Sequence, residues 1–331
     1  MKKHPKLAST VAFLGFMLAM SWPVSASWAA AENYPTRTIQ IIIGYSPGST
    51  DMGLKPFVDK MPELLGQPMS FVYKPGGAGA VGASFVAKAK PDGYTLLGTT
   101  QGSVVLAPLT KEGLDYTLDD FMPICRVSLT PLGLAVKADS PWKTLKDVVE
   151  AAQKSPGKVN YSTSGTYGST HFAMEIFAKS ARIRMTHVPT SGSAPAVTAL
   201  LGGHVKMACS SMGPLMPHVN SGALRILAFM QRERLKNFPD TPTFSEQGYA
   251  VVFPAWYGLL GPKGISKEVV EKIYSASRKV VEQHKKFIDD RLRQSGFELF
   301  LMGPEEMARE CRAESEIVSR IFKDLVAKPK K

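Results

Sequence analysis

The chain has 331 residues and a formal net charge of +12, from 40 Lys and Arg against 28 Asp and Glu. The basic residues are scattered, with no basic stripe and no interleaved aromatics, which argues against nucleic acid as a partner. Three cysteines, Cys125, Cys209 and Cys311, are too few and too far apart for a disulfide framework or a metal site; buried free thiols are expected, with one bridged pair as the alternative.

Residues 1–31 read as a secretory signal peptide. Lys2, Lys3 and Lys6 give a positive start, Leu7 to Val24 is mostly apolar, and Ala29-Ala30-Ala31 offers a small-residue cleavage site. Pro23, Ser25 and Ser27 interrupt the apolar run and no second run of that kind follows, which argues against a retained membrane anchor. Removal of this segment takes away three lysines and no acid, so the charge falls to +9. The roughly 300 residues left suffice for two domains of ordinary size. Part of the remaining excess lies in the tail Lys328-Pro329-Lys330-Lys331, read as a frayed, solvated end.

The mature chain begins with a short apolar run, Ile39 to Ile43, that breaks into Gly44-Tyr45-Ser46-Pro47-Gly48-Ser49-Thr50-Asp51. The run predicts a buried strand, and Gly48 followed by Ser49, Thr50 and Asp51 predicts a turn into a helix N-terminus. Such a turn directs unpaired N–H groups and the positive end of a helix dipole beyond the strand, where an anion fits. A helix is expected from about Asp51 to Leu65, kinked or late-starting because of Pro56 and Pro62, followed by a strand at Met69 to Tyr73. The sequence Gly77-Ala78-Gly79-Ala80-Val81-Gly82 matches a dinucleotide fingerprint literally, yet no acidic residue follows about twenty positions on for a ribose. These glycines predict a tight loop with close helix packing, and no cofactor is expected.

A strand at Thr95 to Thr99 leads into Thr100-Gln101-Gly102-Ser103, a second polar loop at a carboxyl end. Met122 to Val136 is apolar with Pro131 inside it and is expected to pass between domains. Thr144 predicts a cap for a helix reaching about Lys154. A short strand at Val159 to Tyr161 then runs into Ser162-Thr163-Ser164-Gly165-Thr166-Tyr167-Gly168-Ser169-Thr170-His171, the loop richest in hydroxyls, with a helix after it. An ordinary Ser/Thr-rich cap accounts for one such loop; two of the same construction suggest two jaws. Further strands are expected at Met185 to Val188, Val205 to Cys209 and Leu224 to Phe229, with a helix ending at Gly202-Gly203. Val251 to Leu260 is a candidate second crossing, in which Trp256 and Tyr257 read equally as hinge packing or cleft lining. Amphipathic helices at about Ser266 to Gln294 and Pro304 to Val326 close the chain. The alternation predicts a mostly parallel sheet covered on both faces.

Taken in order, Tyr45-Ser46-Pro47-Gly48-Ser49-Thr50-Asp51, Leu65-Gly66-Gln67-Pro68, Lys74-Pro75-Gly76-Gly77-Ala78-Gly79, Lys90-Pro91-Asp92-Gly93-Tyr94-Thr95-Leu96, His187-Val188-Pro189, Leu200-Leu201-Gly202-Gly203 and Pro239-Asp240-Thr241-Pro242-Thr243 resemble the solute-binding receptors of tripartite tricarboxylate transporters, the Bug family, over nearly the whole mature chain. The resemblance implies an α/β, two-lobed periplasmic-binding-protein-like fold of type II. Lobe 1 would comprise residues 32–132 and 254–331, lobe 2 residues 133–253, with the ligand cleft between them. It also implies a monomeric, non-enzymatic periplasmic receptor that captures a small carboxylate and passes it to integral-membrane transporter subunits. Carried onto this chain, the first carboxylate loop is Tyr45, Gly48, Ser49 and Thr50, and the second is Ser164, Gly165, Thr166 and Ser169. Thr190 and Ser191 lie near the cleft, and the polar loop at Thr100 and Gln101 joins the candidates. The chain departs from the family in its single Gly48, in Lys206, and in Tyr167, where a glycine is usual; the Tyr167 ring would fill the cleft or stack on an aromatic acid. Two other readings remain: a ligand-binding sensor or adaptor component, and a hydrolase using a serine of the 162–169 loop with His171 or His187, which lacks a Gly-x-Ser-x-Gly elbow.

Overall fold

A computed structural model describes residues 33–326; the signal peptide at 1–31 and the basic tail at 328–331 lie outside the described residues. From Pro35 on, the chain forms one compact unit containing two sheets. Strand β1 (Ile39–Ile43) is apolar at nearly every position, as a strand covered on both faces must be. It pairs in parallel with β2 (Met69–Tyr73) and with β3 (Thr95–Thr99). Adding β4 (Phe121–Thr130), β10 (Ala255–Pro262) and β11 (Glu298–Met302) gives a six-stranded sheet in the order β11-β4-β10-β3-β1-β2. The second sheet has the order β7-β6-β8-β5-β9, from β5 (Leu132–Lys137), β6 (Asn160–Thr163), β7 (Thr186–Pro189), β8 (Met207–Ser211) and β9 (Leu224–Phe229).

The expectation of a mostly parallel sheet is corrected: both sheets are mixed. Strand β10 runs antiparallel to β3 and β4, and β5 runs antiparallel to β8 and β9. Hydrophobic periodicity carries no information on direction, but the crossings do. The parallel strands β1, β3, β6 and β8 end at the cavity between the sheets, whereas β5 and β10 enter their sheets from that cavity, with Leu132 and Ala255 on its wall. A strand that starts where its neighbours end must run against them. Pro131 divides the long apolar run into β4 and β5 at the first crossing, since proline breaks the ladder.

Helix α1 (Ser49–Lys60) runs through Pro56, and the expected interruption falls at Met61, after which Pro62 opens the one-turn helix α2 (Pro62–Leu65). Proline is tolerated there because a first-turn N–H has no intrahelical partner. Helix α3 (Ala80–Ala87) follows the glycine-rich loop, where Gly77 and Gly79 have φ of 57° and 91°. A short α4 (Ala107–Thr110) follows β3. In the second half, α5 (Leu145–Lys154), α6 (Ser169–Ser180), α7 (Ser193–Leu201) and α8 (Met212–Asn220) connect the strands. The long α9 (Lys267–Gln294) and α10 (Pro304–Val326) return to the first sheet. One core gathers Leu97, Val104, Leu106 and Met307, and a second gathers Val197, Leu200, Met212 and Phe229. Cys125, Cys209 and Cys311 are all free and buried.

The cap foreseen at Thr144 is a capping box: the Asp147 N–H donates to Thr144 Oγ1 at 3.2 Å, and the Thr144 N–H donates to Asp147 Oδ2 at 2.9 Å. Thr144→Ala is expected to cost about 1 kcal/mol, read as a fall of about 2 °C in melting temperature.

Candidate functional site

The cavity between the sheets is built from strand ends. After β1 the chain turns through Tyr45 and Ser46 into the first turn of α1, which presents Ser49 and Thr50. Gly48 permits this turn at φ 153°, and its N–H donates to Asp51 Oδ1 at 2.6 Å. Burial raises the Asp51 carboxyl above its usual range and the bond from Gly48 opposes that rise. Asp51 thus serves the helix start and is not on the cavity wall.

The β6–α6 connection repeats the construction, with Ser164 before the turn and Ser169 and Thr170 in the first turn of α6. Ser164 is held by Thr170: its N–H donates to Thr170 Oγ1 at 3.0 Å and the two hydroxyls lie 2.8 Å apart. Thr100 after β3, Ser193 at the start of α7 and Ser211 at the end of β8 close the wall, together with Tyr257 of β10. Eleven of the thirteen lining residues carry a hydroxyl and none is charged. Burial pushes the Tyr45 and Tyr257 phenols far above their ordinary range, so both remain protonated donors.

The walls nearly meet. About 20 Å³ is left for the centre of a water molecule, room for roughly one water. The Ser46 N–H donates to the Ser191 carbonyl at 2.9 Å and the Ser46 and Ser191 hydroxyls lie 2.7 Å apart; the Ser49 and Ser211 hydroxyls also pair. Among the described residues, Ser169 Oγ and Arg126 Nε are the buried side-chain polar atoms with no hydrogen-bond partner. Ser169 is 5 % exposed and faces the cavity. A buried hydroxyl without a partner carries a desolvation cost of about 1–3 kcal/mol, which an acceptor in the cavity would relieve.

Of the residues foreseen from sequence, Tyr45, Ser49, Thr50, Thr100, Ser164 and Ser169 share this wall. The others do not line it. Gly48 backs onto Ala194 and Gly165 onto Ala78. Gln101 turns away: its Nε2 donates to the Pro254 carbonyl at 2.7 Å, and its Oε1 accepts from the Trp256 N–H at 3.1 Å and the Thr100 hydroxyl at 2.7 Å. It therefore ties the start of β10 to the end of β3. Thr166 is exposed. The Thr190 hydroxyl bonds the Thr163 carbonyl at 2.8 Å, and Ser191 latches the rim. Ser46, Leu132, Thr170, Ser193, Ser211 and Ala255 were not singled out from sequence. For Trp256 and Tyr257, left open between hinge packing and cleft lining, the period-2 alternation of β10 separates the two: Tyr257 faces the cavity, while Trp256 turns the other way and donates to Glu314 Oε2 at 3.0 Å.

Tyr167 neither fills the cavity nor lines it. Its ring packs edge-on against Phe322 of α10 at 5.3 Å. The two histidines of the hydrolase reading have other partners: His187 Nε2 lies 2.7 Å from Thr163 Oγ1, and His171 Nδ1 accepts the Tyr167 N–H at 2.9 Å.

Residues 55–326 match the model of a family described as the tripartite tricarboxylate transporter family receptor. A Cupriavidus necator protein, named only as the UPF0065 protein in the gbd 5' region, is 34% identical over 255 residues, 77% of each chain. Rpa4515 of R. palustris, solved with adipate, superposes with a TM-score of 0.83 at 25% identity, covering 88% of this chain and 98% of that one. MatC from Rhodopseudomonas palustris, solved with bound malate, superposes with a TM-score of 0.82 at 25% identity, covering 87% and 99%. Among the described residues, no helix is long and apolar enough to cross a membrane.

Proposed function

The chain belongs to the tripartite tricarboxylate transporter receptor family, and on that premise we propose that it is an exported periplasmic receptor that closes on a small carboxylate and delivers it to membrane transporter subunits. Its family and its fold are those of binding receptors, and neighbours of the same fold hold adipate and malate. The reading treats residues 32–132 with 254–331 as one lobe and 133–253 as the other, acting as a monomer. The single observation that carries it is Ser169 Oγ, a buried donor without a partner at the start of α6, facing the start of α1 across a wall of hydroxyls.

The chemistry fits an anion. Helix starts contribute about 0.3–1 kcal/mol each toward a negative charge and charge-assisted hydrogen bonds about 1.5–3 each. Four or five such contacts total a gross ~10 kcal/mol, and lost freedom leaves roughly micromolar binding. A cavity with room for one water implies that ligand enters an opened form and that closure follows as a population shift through contacts to both sides. With no lining cation, carboxylate binding should show little of the salt dependence of a surface ion pair.

Isothermal titration of the mature protein with adipate, malate and a panel of di- and tricarboxylates is expected to find a binder. Ser169→Ala should weaken it about 10- to 100-fold, the loss of one charge-assisted hydrogen bond, without lowering the melting temperature of the free protein. Silence across the panel, or unchanged affinity in Ser169→Ala, would overturn the reading.

A further inference from the structure

Behind the second hydroxyl loop, two imidazoles are stacked. The rings of His171, on α6, and His187, on β7, lie 3.7 Å apart between centroids with 22° between their planes. Each holds one end of the loop. His187 Nε2 is 2.7 Å from the hydroxyl of Thr163, which also lies within reach of the Gly165 backbone. His171 Nδ1 accepts the N–H of Tyr167, a non-glycine residue held at φ 55°. With Nδ1 accepting, the neutral His171 ring carries its proton on Nε2, 3.3 Å from Glu175 Oε1. A proton added to His187 would meet the His171 ring face to face.

We propose that His171 and His187 are positioning residues that hold loop 163–170 in place only while His187 is neutral, so that ligand affinity falls as the medium is acidified. The inference rests on the reading of that loop as one jaw of the carboxylate site. The groups facing the pair are Glu175 from α6, which also accepts the Tyr161 hydroxyl at 3.1 Å, the Tyr161 ring from β6 at 5.3 Å from His187, and the Tyr167 ring from the loop at 5.1 Å from His171. Cys209 of β8 lies beyond Tyr161 as a buried thiol pushed up by burial. From α10 come the apolar ring of Phe322 against Tyr167 and the Asp324 carbonyl, bonded by Lys179 of α6.

The direction follows from linkage. Burial first, and the neighbouring His171 second, push His187 down to about 3 in the folded protein, against a smaller opposing pull from Glu175. Opening the loop returns an imidazole to its ordinary value of about 6.5. Between these values the open form binds more protons, so acid favours opening and alkali favours the braced loop. For one ring freed to solvent, the opening constant rises about 30-fold between pH 7.5 and pH 5.

Amide exchange of Tyr167 in the ligand-free protein, expressed as protection against the unstructured rate at each pH, reads the brace without reference to any ligand. Protection is expected to fall by about 30-fold from pH 7.5 to pH 5, and at least fivefold less in His187→Gln, which keeps a polar group near Thr163 but does not titrate. Adipate and malate affinities over the same range should fall in the wild type and fall less in the variant, which controls for protonation of the ligand itself. Protection that does not change with pH overturns the proposal, as does affinity that holds or rises while protection falls. Falling protection in a protein that binds no carboxylate at pH 7.5 would support the brace while overturning the carboxylate reading, so the two failures are separable.

Discussion

Replacing Gly82 by alanine is expected to lower the melting temperature by about 6–12 °C. A Cβ at 82 would lie 2.6 Å from Gly44 Cα and 2.9 Å from Gly44 N. Both are backbone atoms at the end of β1, so no rotamer change relieves the overlap. Retreat is blocked as well: a Cβ at Gly44 would meet the Gly79 carbonyl oxygen at 2.4 Å, so α3 and the loop before it are pressed against β1 on both sides. Overpacking of this kind costs about 1–3 kcal/mol when side chains can give. With backbone on both sides the upper end applies, and about 2–4 °C is lost per kcal/mol in a domain of this order of size. Gly66→Ala is the control, since its φ of 72° is strained for alanine but nothing lies within 4 Å; it should lose only about 1 kcal/mol. Thermal unfolding followed by far-ultraviolet circular dichroism decides the matter, and equal shifts in the two variants would refute the close-approach account.

The contrast between Gly82 and Gly66 also bears on what a sequence discloses. Strands bounded by turn residues, such as Met69–Tyr73, Thr95–Thr99 and Leu224–Phe229, were legible to the residue, as was the closing helix Pro304–Val326. Their apolar runs begin and end with residues that favour turns or caps. Strand direction was not legible, because a run such as Ala255–Pro262 has the same composition whichever way it crosses a sheet. The same limit governs the cavity. Ser49 and Thr50 could be named because a hydroxyl at a helix start announces its own geometry, and Ser164 and Ser169 through the family resemblance of their loop. Ser211 and Ala255 could not, because they reach the wall only through the crossings that bring the second half of the chain back. Gln101 was misleading for a related reason: it sits beside Thr100 at a strand end, yet its amide satisfies the Trp256 N–H and Pro254 carbonyl, partners more than 150 positions away. Tyr167 behaves likewise, since Phe322 of the last helix supplies its apolar surface.

Gly165→Ala is expected to weaken carboxylate binding about 100-fold while costing the free protein only about 1–2 kcal/mol. Gly165 has φ of 135°, and a Cβ there would lie 2.9 Å from both Cα and Cβ of Ala78. Ala78 belongs to the loop before α3 on the first sheet, and its carbonyl accepts the Tyr45 hydroxyl at 2.6 Å. The added methyl is therefore wedged between the two halves at the place where they meet beside the two hydroxyl loops. Opening the halves removes the steric part of the penalty, so unfolding experiments report chiefly the backbone strain. On the proposed carboxylate reading, ligand binding cannot avoid the penalty, because contacts to Ser49 and Thr50 on one side and Ser164 and Ser169 on the other would require the halves to be together. An overlap worth about 2.7 kcal/mol reduces the binding-competent fraction about 100-fold, and apparent affinity falls by that fraction. Removing the opposing methyl tests the geometry directly. Ala78 itself has φ of 55°, a conformation that suits glycine, so Ala78→Gly should be harmless alone and should restore part of the affinity lost in Gly165→Ala. The recovery is partial because Ala78 Cα remains in contact. A double-mutant cycle on adipate or malate binding measures this coupling. Additive effects, or affinity within threefold of wild type in Gly165→Ala, would mean that the contact between Gly165 and Ala78 is not part of closure.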